Sequence, residues 1–278
     1  MSCLRFLCIG DVVGSPGLVM FQRWVPKLKE QHKIDAVIVN GENSAKNGRG
    51  ITTKIIDFFK HNGANVITTG NHVWENKEIY NALNVRDTIV RPANFPPGCP
   101  GKGHTFFTVD NHTVCVLNIH GRAFVREFLD CPFRAVESLL LFLQTKAKII
   151  IVDFHCEATS EKRAMGFYLD GKVSCMFGTH THVQTADEQI LPQGTGYITD
   201  LGYCGALNSV IGMQTSEVLL KYTLTNKMGR FVVEQKGPFI LNGIIVEIDS
   251  ATGKTLSIER VKIIDETIHE TLDTQATV

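Results

Sequence analysis

The sequence lacks three features that would each point to a particular class of protein. None of its eight cysteines forms a C-x-x-C pair, and several lie inside apolar runs such as RFLCIG and TVCVLN, where a thiol behaves as a small hydrophobic group. No apolar run approaches the length of a membrane span. The apolar start of the chain is interrupted by Asp11 before it reaches the length of a signal sequence. We therefore expect a cytoplasmic protein with free, buried thiols and no membrane partner.

An excess of charge of either sign is also absent. The 28 lysines and arginines equal the 28 aspartates and glutamates, so no net field would draw the chain to nucleic acid or to an anionic membrane. Any anionic substrate must therefore be held by local groups. What is present is ordinary globular composition, with 278 residues that are 44% hydrophobic and 20% charged, enough to build a sizeable core.

Short β-rich apolar runs alternate with amphipathic stretches along the chain. The runs LRFLCIG, IDAVIVNG and NVITTG precede predicted helices at about 18–31, at about 52–62 and from near Glu75. The alternation resumes with helices around 133–145 and 159–169 and the strands KIIIVDFH and KVSCMFGTH. Turns at Asp110-Asn111 and in DSATG indicate two hairpins, and hence antiparallel neighbours. These patterns predict a layered α/β fold in one domain over 1–266, with a polar, frayed tail over 267–278.

Polar side chains follow five of the predicted strands. In α/β folds ligands bind beyond the carboxyl ends of the strands, so these side chains are candidates for a functional site. Glycines flank four of the five strand ends and permit turns toward a common centre. The candidates are Asp11, Glu42, Asn43, Asn71, His72, His155, His180 and His182.

Each of these residues alone has an ordinary structural explanation. Asp11 before a glycine-rich turn is more often a helix cap or a turn former, and His155 could be a hydrogen-bonded core histidine. Their joint occurrence at five strand ends instead favours a site. Imidazoles, carboxylates and amide oxygens together suit a pair of divalent transition ions bridged by one carboxylate. Such a centre can bind a phosphoryl group and hydrolyse its ester bond.

These residues resemble the sequence blocks of the calcineurin-like metallophosphoesterase superfamily: an aspartate, a bridging carboxylate, Gly-Asn-His, a lone histidine and Gly-x-His-x-His. More narrowly, IGDVVGSPG, NGENSAKNGRG, RPANFPPGCPGKG and GTHTHVQTADEQILPQG resemble bacterial YmdB-like phosphodiesterases, over residues 4 to about 265. The resemblance implies the calcineurin-like fold, a layered α/β sandwich with mixed β-sheets flanked by helices. Two positions depart from the broad superfamily, because Asp11-Val12-Val13 replaces Asp-x-His and the bridging carboxylate is Glu42 instead of an aspartate.

The resemblance also implies a role for each residue. It implies two metal sites that share one carboxylate, with the ligands Asp11, Glu42, Asn43 and His182 at one and Glu42, Asn71, His155 and His180 at the other. Iron or manganese are the metals it implies, and the mixed nitrogen and oxygen donors permit both. It makes His72 the proton donor to the leaving oxygen, which suits an imidazole at neutral pH. The expected reaction is attack of a metal-bridging hydroxide on a phosphodiester.

The substrate class also comes from the resemblance, which implies cyclic nucleotides, with 2′,3′-cyclic nucleotides favoured and 3′,5′-cyclic nucleotides as further candidates. Arg91 and Arg163 are candidates to meet the phosphate, although a solvent-facing or salt-bridged arginine is the commoner case. Two alternatives stay open: a phosphomonoesterase or phosphoprotein phosphatase with the same centre, and a regulatory protein that binds a nucleotide or RNA. The family allows homo-oligomers, but the sequence identifies no interface.

Overall fold

Two β-sheets lie face to face at the centre of the molecule. The structure is a computed structural model that describes residues 3–224 and 231–269. One sheet contains, in spatial order, β2 (Asp11–Val12), β11 (Tyr203–Ala206), β12 (Phe239–Asp249), β1 (Cys3–Ile9), β3 (Ala36–Asn40) and β4 (Val66–Thr68), with β13 (Thr255–Asp265) also paired to β12. The other contains β5 (His104–Val109), β6 (His112–His120), β7 (Ile149–His155), β8 (Cys175–Thr179), β10 (Gly196–Ile198) and β9 (Gln189–Ile190).

Both sheets are mixed. In the first, β1, β3 and β4 run parallel, whereas β12 is antiparallel to β1, β11 and β13. In the second, β6, β7, β8 and β10 run parallel, and β5 and β9 pair antiparallel at the edges. The two predicted hairpins are confirmed as β5–β6, with Asp110 and Asn111 at positive φ in the turn, and β12–β13.

Helices cover the outer faces of both sheets. The described helices are α1 (Gly14–His32), α2 (Thr53–His61), α3 (Ile79–Val85), α4 (Pro132–Lys146), α5 (Thr159–Leu169) and α6 (Thr215–Thr223), with a 3-10 helix at Asn71–Trp74. Apolar side chains of α1, α2 and α3 pack on the first sheet, and those of α4 and α5 pack on the second. A third apolar layer fills the space between the sheets. The predicted layered α/β sandwich with mixed, helix-flanked sheets is therefore confirmed.

The central strands are buried on both faces, which explains their continuous apolar runs. In β1, Leu7 and Ile9 pack toward the helices, while Phe6 and Cys8 pack between the sheets. All eight thiols are free and five are buried, as expected. The expectation of burial is wrong for three that are partly exposed, Cys3, Cys99 and Cys131.

Two helix starts differ from the sequence prediction. Helix α1 begins at Gly14, before the predicted start near residue 18, because its glycines allow close packing. A Cβ at Gly17 would lie 2.5 Å from the carbonyl oxygen of Cys204 in β11. Helix α3 begins at Ile79 instead of near Glu75, since the 3-10 helix occupies the preceding turn.

The single-domain partition over 1–266 stays a proposal, supported by the shared core between the two sheets. Most of the predicted tail, 270–278, lies outside the described residues. Its first residues are attached, because Thr267 Oγ1 donates to Asp265 at 2.7 Å and the His269 carbonyl accepts from Gly237 N–H at 2.9 Å. Within the described ranges, no helix combines the length and the apolar character that crossing a bilayer requires.

Candidate metal centre

The ends of parallel strands from both sheets meet at one edge of the sandwich. There the structure brings together all seven residues predicted as ligands, together with His72. Asp11 opens β2, Glu42 and Asn43 follow β3, and Asn71 begins the 3-10 helix after β4. From the facing sheet, His155 ends β7, and His180 and His182 follow β8. The ligand roles themselves remain predictions.

The first group of donor atoms surrounds Nε2 of His155. This nitrogen lies 3.0 Å from Glu42 Oε1, 3.0 Å from His180 Nδ1 and 3.1 Å from Asn71 Oδ1. Glu42, His155 and His180 each offer one ligand atom within 4.8 Å of the others, an arrangement that could hold a metal ion. The group matches one of the two predicted ligand sets.

The second group lies on the other side of Glu42. The amide Nδ2 of Asn43 is 3.2 Å from Glu42 Oε1, 3.2 Å from His182 Nε2 and 3.4 Å from Asp11 Oδ1. His182 Nε2 and Asp11 Oδ1 are 3.7 Å apart. A metal ion needs the oxygen of Asn43 here, and rotation of the amide by a half-turn exchanges its oxygen and nitrogen without changing its shape. Glu42 therefore belongs to both groups, as a bridging carboxylate must.

Buried carboxylates make the centre attractive to cations. Burial alone would raise the pKa of Glu42, but the positive charge of His155 and its hydrogen bond hold that pKa well below its ordinary value. Burial alone would lower the pKa of His155, yet the charges of Glu42, Asp11 and Asp153 raise it to about 9. The field that favours a proton on His155 would also favour a metal ion, which would displace that proton if it bound there.

A second layer of side chains fixes the ring of His155. Its Nδ1 lies 2.9 Å from Thr179 Oγ1, which donates to Asp153 Oδ1 at 2.7 Å. Asn40 Nδ2 donates to the other Asp153 oxygen at 3.1 Å. Such contacts orient a histidine ligand and direct its other nitrogen, Nε2, toward the metal.

A buried ion pair holds the segment that carries His180 and His182. Both histidines have left-handed backbone conformations, with φ of 95° and 62°, which surrounding contacts must maintain. Lys162 Nζ lies 2.6 Å from Asp200 Oδ2, with both side chains fully buried, and donates to the Thr179 carbonyl at 3.0 Å. The same aspartate oxygen accepts from Thr181 N–H at 3.2 Å and from its Oγ1 at 2.7 Å. The ion pair thus binds Thr179 and Thr181, the residues on either side of His180.

His72 is attached to the centre by its backbone. Its N–H donates to Glu42 Oε2 at 3.1 Å, and its ring Nδ1 lies 3.4 Å from Glu75 Oε1. The ring is partly exposed and lines a pocket of about 380 Å³ above the two groups of donor atoms. This position leaves Nε2 of His72 available to a bound molecule.

The ion pair was not predicted from the sequence, and the two arginine candidates lie outside the pocket. Lys162 lies at helical spacing from buried Met165 and Leu169, and Asp200 follows strand β10, so both patterns were readable in the sequence. Neither Arg91 nor Arg163 lines the pocket above the centre. Arg163 instead stacks over Tyr197, 4.9 Å from the ring centroid, and among the described residues Arg49 is the arginine that lines the pocket.

The donor set fits divalent transition ions, since it combines imidazole, carboxylate and amide groups. The backbone leaves room at the same point, because Gly70 carries no side chain there. A Cβ at Gly70 would lie 2.3 Å from His155 Nε2 and 2.4 Å from Glu42 Oε2. Side chains predicted as metal ligands therefore occupy the space that a side chain at position 70 would need.

Replacing Gly70 with alanine should therefore weaken metal binding, by about 10–100-fold, the range seen when the surroundings of metal ligands are disturbed. Metal titration followed by elemental analysis would measure it. Gly196→Ala is the matched control, because its Cβ also meets a side chain closely, Thr255 Oγ1 at 2.9 Å, but in β10 and away from the ligands. Equal metal affinity in the two variants would contradict the prediction that metal binds at these residues.

Comparison with known proteins identifies the same family that the sequence motifs resemble. A family model described as "YmdB-like protein" matches residues 7–261. The chain is 46% identical over 263 residues to a 2′,3′-cyclic-nucleotide 2′-phosphodiesterase of Bacillus subtilis, covering 95% of this chain and 98% of that protein. The matched region contains every residue of the candidate metal centre.

Two solved structures share the fold over almost the whole chain. One is a novel phosphatase from Mycoplasma pneumoniae, with a TM-score of 0.88 and 34% identity, covering 96% of each chain. The other is a hypothetical protein from Thermus thermophilus, with a TM-score of 0.87 and 37% identity, covering 94% of this chain and 100% of the other.

Proposed function

Because the chain belongs to the YmdB-like family, we propose that it is a metal-dependent phosphodiesterase that hydrolyses cyclic nucleotides, with 2′,3′-cyclic nucleotides preferred. The observation that carries the proposal is the pair of donor groups that share Glu42. One group is centred on His155 Nε2 and the other on the Asn43 amide. A neutral chain can hold an anionic substrate when two cations sit at its site.

We further propose that two divalent ions occupy the centre, with iron or manganese as the metals. One ion would be held by Asp11, Glu42, Asn43 and His182, and the other by Glu42, Asn71, His155 and His180. When bound, a pair of such ions supplies charge neutralisation, orientation of the phosphoryl oxygens and activation of water. The protein supplies the rigid frame, because five of these seven side chains are buried and the other two, Asn71 and His180, are only partly exposed.

His72 is the proposed proton donor to the leaving oxygen of the ribose. Its backbone N–H is fixed on Glu42 and its ring Nδ1 faces Glu75, so the ring is held at the edge of the centre. An imidazole can donate a proton at neutral pH, and departure of an alkoxide requires such help. Its adjacency to Asn71 at the start of the 3-10 helix supports the role, because the proposed proton donor would then lie beside a proposed ligand.

The size and lining of the pocket favour a small-molecule substrate instead of a loop of a phosphorylated protein. Its volume of about 380 Å³ falls within the range of small-molecule sites. One wall is apolar and aromatic, formed by Ile211, Met213, Tyr222 and Phe231. Arg49 lies over the Phe231 ring at 5.6 Å and offers a cation beside that wall. An aromatic wall beside a cation and a metal centre suits a base attached to a phosphate.

The test of this proposal is a comparison of substrates on the metal-loaded protein. We expect hydrolysis of 2′,3′-cyclic nucleotides to exceed that of 3′,5′-cyclic nucleotides, and both to exceed hydrolysis of nucleoside monophosphates. Faster turnover of monoesters than of any diester would replace the proposal with a phosphomonoesterase. Tight nucleotide binding without hydrolysis would instead indicate a regulatory protein.

Replacing His72 with alanine should lower turnover of a 2′,3′-cyclic nucleotide by about 10²–10⁴-fold, the usual contribution of general acid catalysis. Hydrolysis of bis(p-nitrophenyl) phosphate should fall much less, because p-nitrophenolate leaves without a proton. Steady-state rates on the two substrates, with the metal content of each preparation, provide the measurement.

His61→Ala is the control, since His61 is an exposed histidine in α2, remote from the ligands. It should change neither rate. If His72→Ala binds metal normally and keeps full turnover of the unactivated cyclic nucleotide, the proton-donor role is wrong.

A further inference from the structure

A second cavity, of about 680 Å³, opens on the side of the second sheet and is lined by three arginines. It shares no lining residue with the pocket above the metal centre. We call it the arginine cavity, defined by Arg91, Asn94, Arg122, Asp130 and Arg134 together with the start of α4. Its lining carries three positive charges and one negative charge, a net charge of two positive.

Arg91 is a buried cation that forms no ion pair with a carboxylate in the part of the chain that the structure describes. Its side chain is only 8% exposed. The guanidinium donates only to backbone carbonyls, those of Pro92 at 2.7 Å, Pro100 at 3.2 Å and Cys99 at 3.3 Å. Burial lowers its pKa, as expected for a charge removed from water without a counter-ion. Buried charges in proteins are normally paired, whereas the partners of this guanidinium among the described residues are neutral carbonyl oxygens.

Arg122 and Arg134 stand at the mouth of the cavity, and neither forms an ion pair with a described carboxylate. The nearby Glu161 forms no ion pair with the Arg122 side chain among the described contacts, and its carboxylate instead accepts from backbone N–H groups. These are the N–H of Arg122 at 3.0 and 3.1 Å and that of Ala123 at 3.0 Å. Both guanidinium groups therefore remain available to a ligand.

The first turn of α4 adds backbone donors to the same place. Cys131, at the N-cap, makes no side-chain hydrogen bond to the helix, and Cys131, Arg134 and Ala135 all line the cavity. The free N–H groups of a helix start and the positive end of its dipole favour anions. The helix end therefore reinforces the charge of the three arginines.

We propose that the arginine cavity binds a phosphate-bearing anion, either inorganic phosphate or a nucleoside monophosphate, at a site separate from the metal centre. The guanidinium group of arginine can donate two parallel hydrogen bonds to two oxygens of a phosphate group. The cavity volume would accommodate a mononucleotide as well as the free ion. The site does not depend on the reaction proposed for the metal centre.

Equilibrium dialysis of the metal-loaded protein with labelled inorganic phosphate tests this site. We expect two phosphates per chain, one at each site. The Arg122→Gln/Arg134→Gln variant should lose about tenfold or more in affinity for one of them. Its inhibition constant for phosphate in the diesterase assay should stay unchanged. Displacement of the labelled phosphate by a nucleoside 3′-monophosphate, compared with unlabelled phosphate, distinguishes the two sources of the anion.

Both substituted arginines are exposed, so the variant should fold normally. The matched control is Arg126→Gln/Lys146→Gln, which removes two exposed positive charges outside the lining of the cavity. It should bind phosphate like the unmodified protein. The proposal is overturned if the control loses as much affinity as the variant. It is also overturned if the unmodified protein binds phosphate at the metal centre alone.

Discussion

Replacing Glu42 with glutamine should abolish stoichiometric metal binding and lower hydrolysis of 2′,3′-cyclic nucleotides by on the order of 10³-fold or more. Metal ions contribute several kcal/mol to phosphoryl transfer, and about 1.4 kcal/mol corresponds to a tenfold change in rate. A Glu42 oxygen contacts donor atoms of both groups, at 3.0 Å from His155 Nε2 and 3.2 Å from the Asn43 amide. Its loss should therefore affect both ions, whereas loss of any other ligand removes a donor from one.

Glutamine keeps the size of the side chain and can still accept the His72 N–H bond, so the fold should survive. Elemental analysis and initial rates, measured on the same preparation, provide the result. Glu30→Gln, at an exposed position of α1, is the control and should retain both metal and activity. A Glu42→Gln protein with two ions per chain would show that this carboxylate does not bridge them.

Replacing Lys162 with methionine should destabilise the protein by about 3–5 kcal/mol, the cost of leaving one member of a buried ion pair without its partner. Asp200 is fully buried and would lose its ion-pair partner to an apolar side chain. The Lys162→Met/Asp200→Asn variant should recover part of the loss, because no isolated charge remains. Urea denaturation at a fixed metal concentration gives the free energies of unfolding, since bound metal itself stabilises the native state.

The same substitution should weaken metal binding, because Lys162 holds the Thr179 carbonyl and Asp200 holds Thr181 on either side of His180. We expect a loss of about 10–100-fold in affinity. Lys54→Met, at an exposed position of α2, is the control for loss of a lysine charge. If Lys162→Met binds metal as tightly as the control, the ion pair stabilises the fold without positioning the histidines.

The sequence predicted the layers of the fold well because the central strands are buried on both faces. Continuous apolar runs such as those of β1 and β7 have few alternative structures. It predicted the short elements poorly. Strand β2 has two residues and β10 has three, so their pairing with distant strands leaves no periodic pattern to read. The start of α1 was obscured by Gly14 and Gly17, whose role depends on close contact with the sheet.

The gathering of the candidate ligands was predictable because each follows a strand end, and parallel strands end at a common edge. The pairing of Lys162 with Asp200 was not predictable, since it joins a helix to a strand end 38 residues later. The arginine cavity was also beyond sequence reasoning. Arg91 appeared as a candidate for the substrate phosphate, and only the packing of the 92–100 segment shows that it lies in a separate cavity.

The most direct test of the dimetal phosphodiesterase is a metal titration of anaerobically purified protein, with activity on a 2′,3′-cyclic nucleotide measured at each step. The account predicts that two ions of iron or manganese bind per chain and that hydrolysis rises with occupancy of the sites. Folded protein that takes up no metal from added Fe²⁺ or Mn²⁺, or that binds two ions and hydrolyses no phosphodiester, would contradict it.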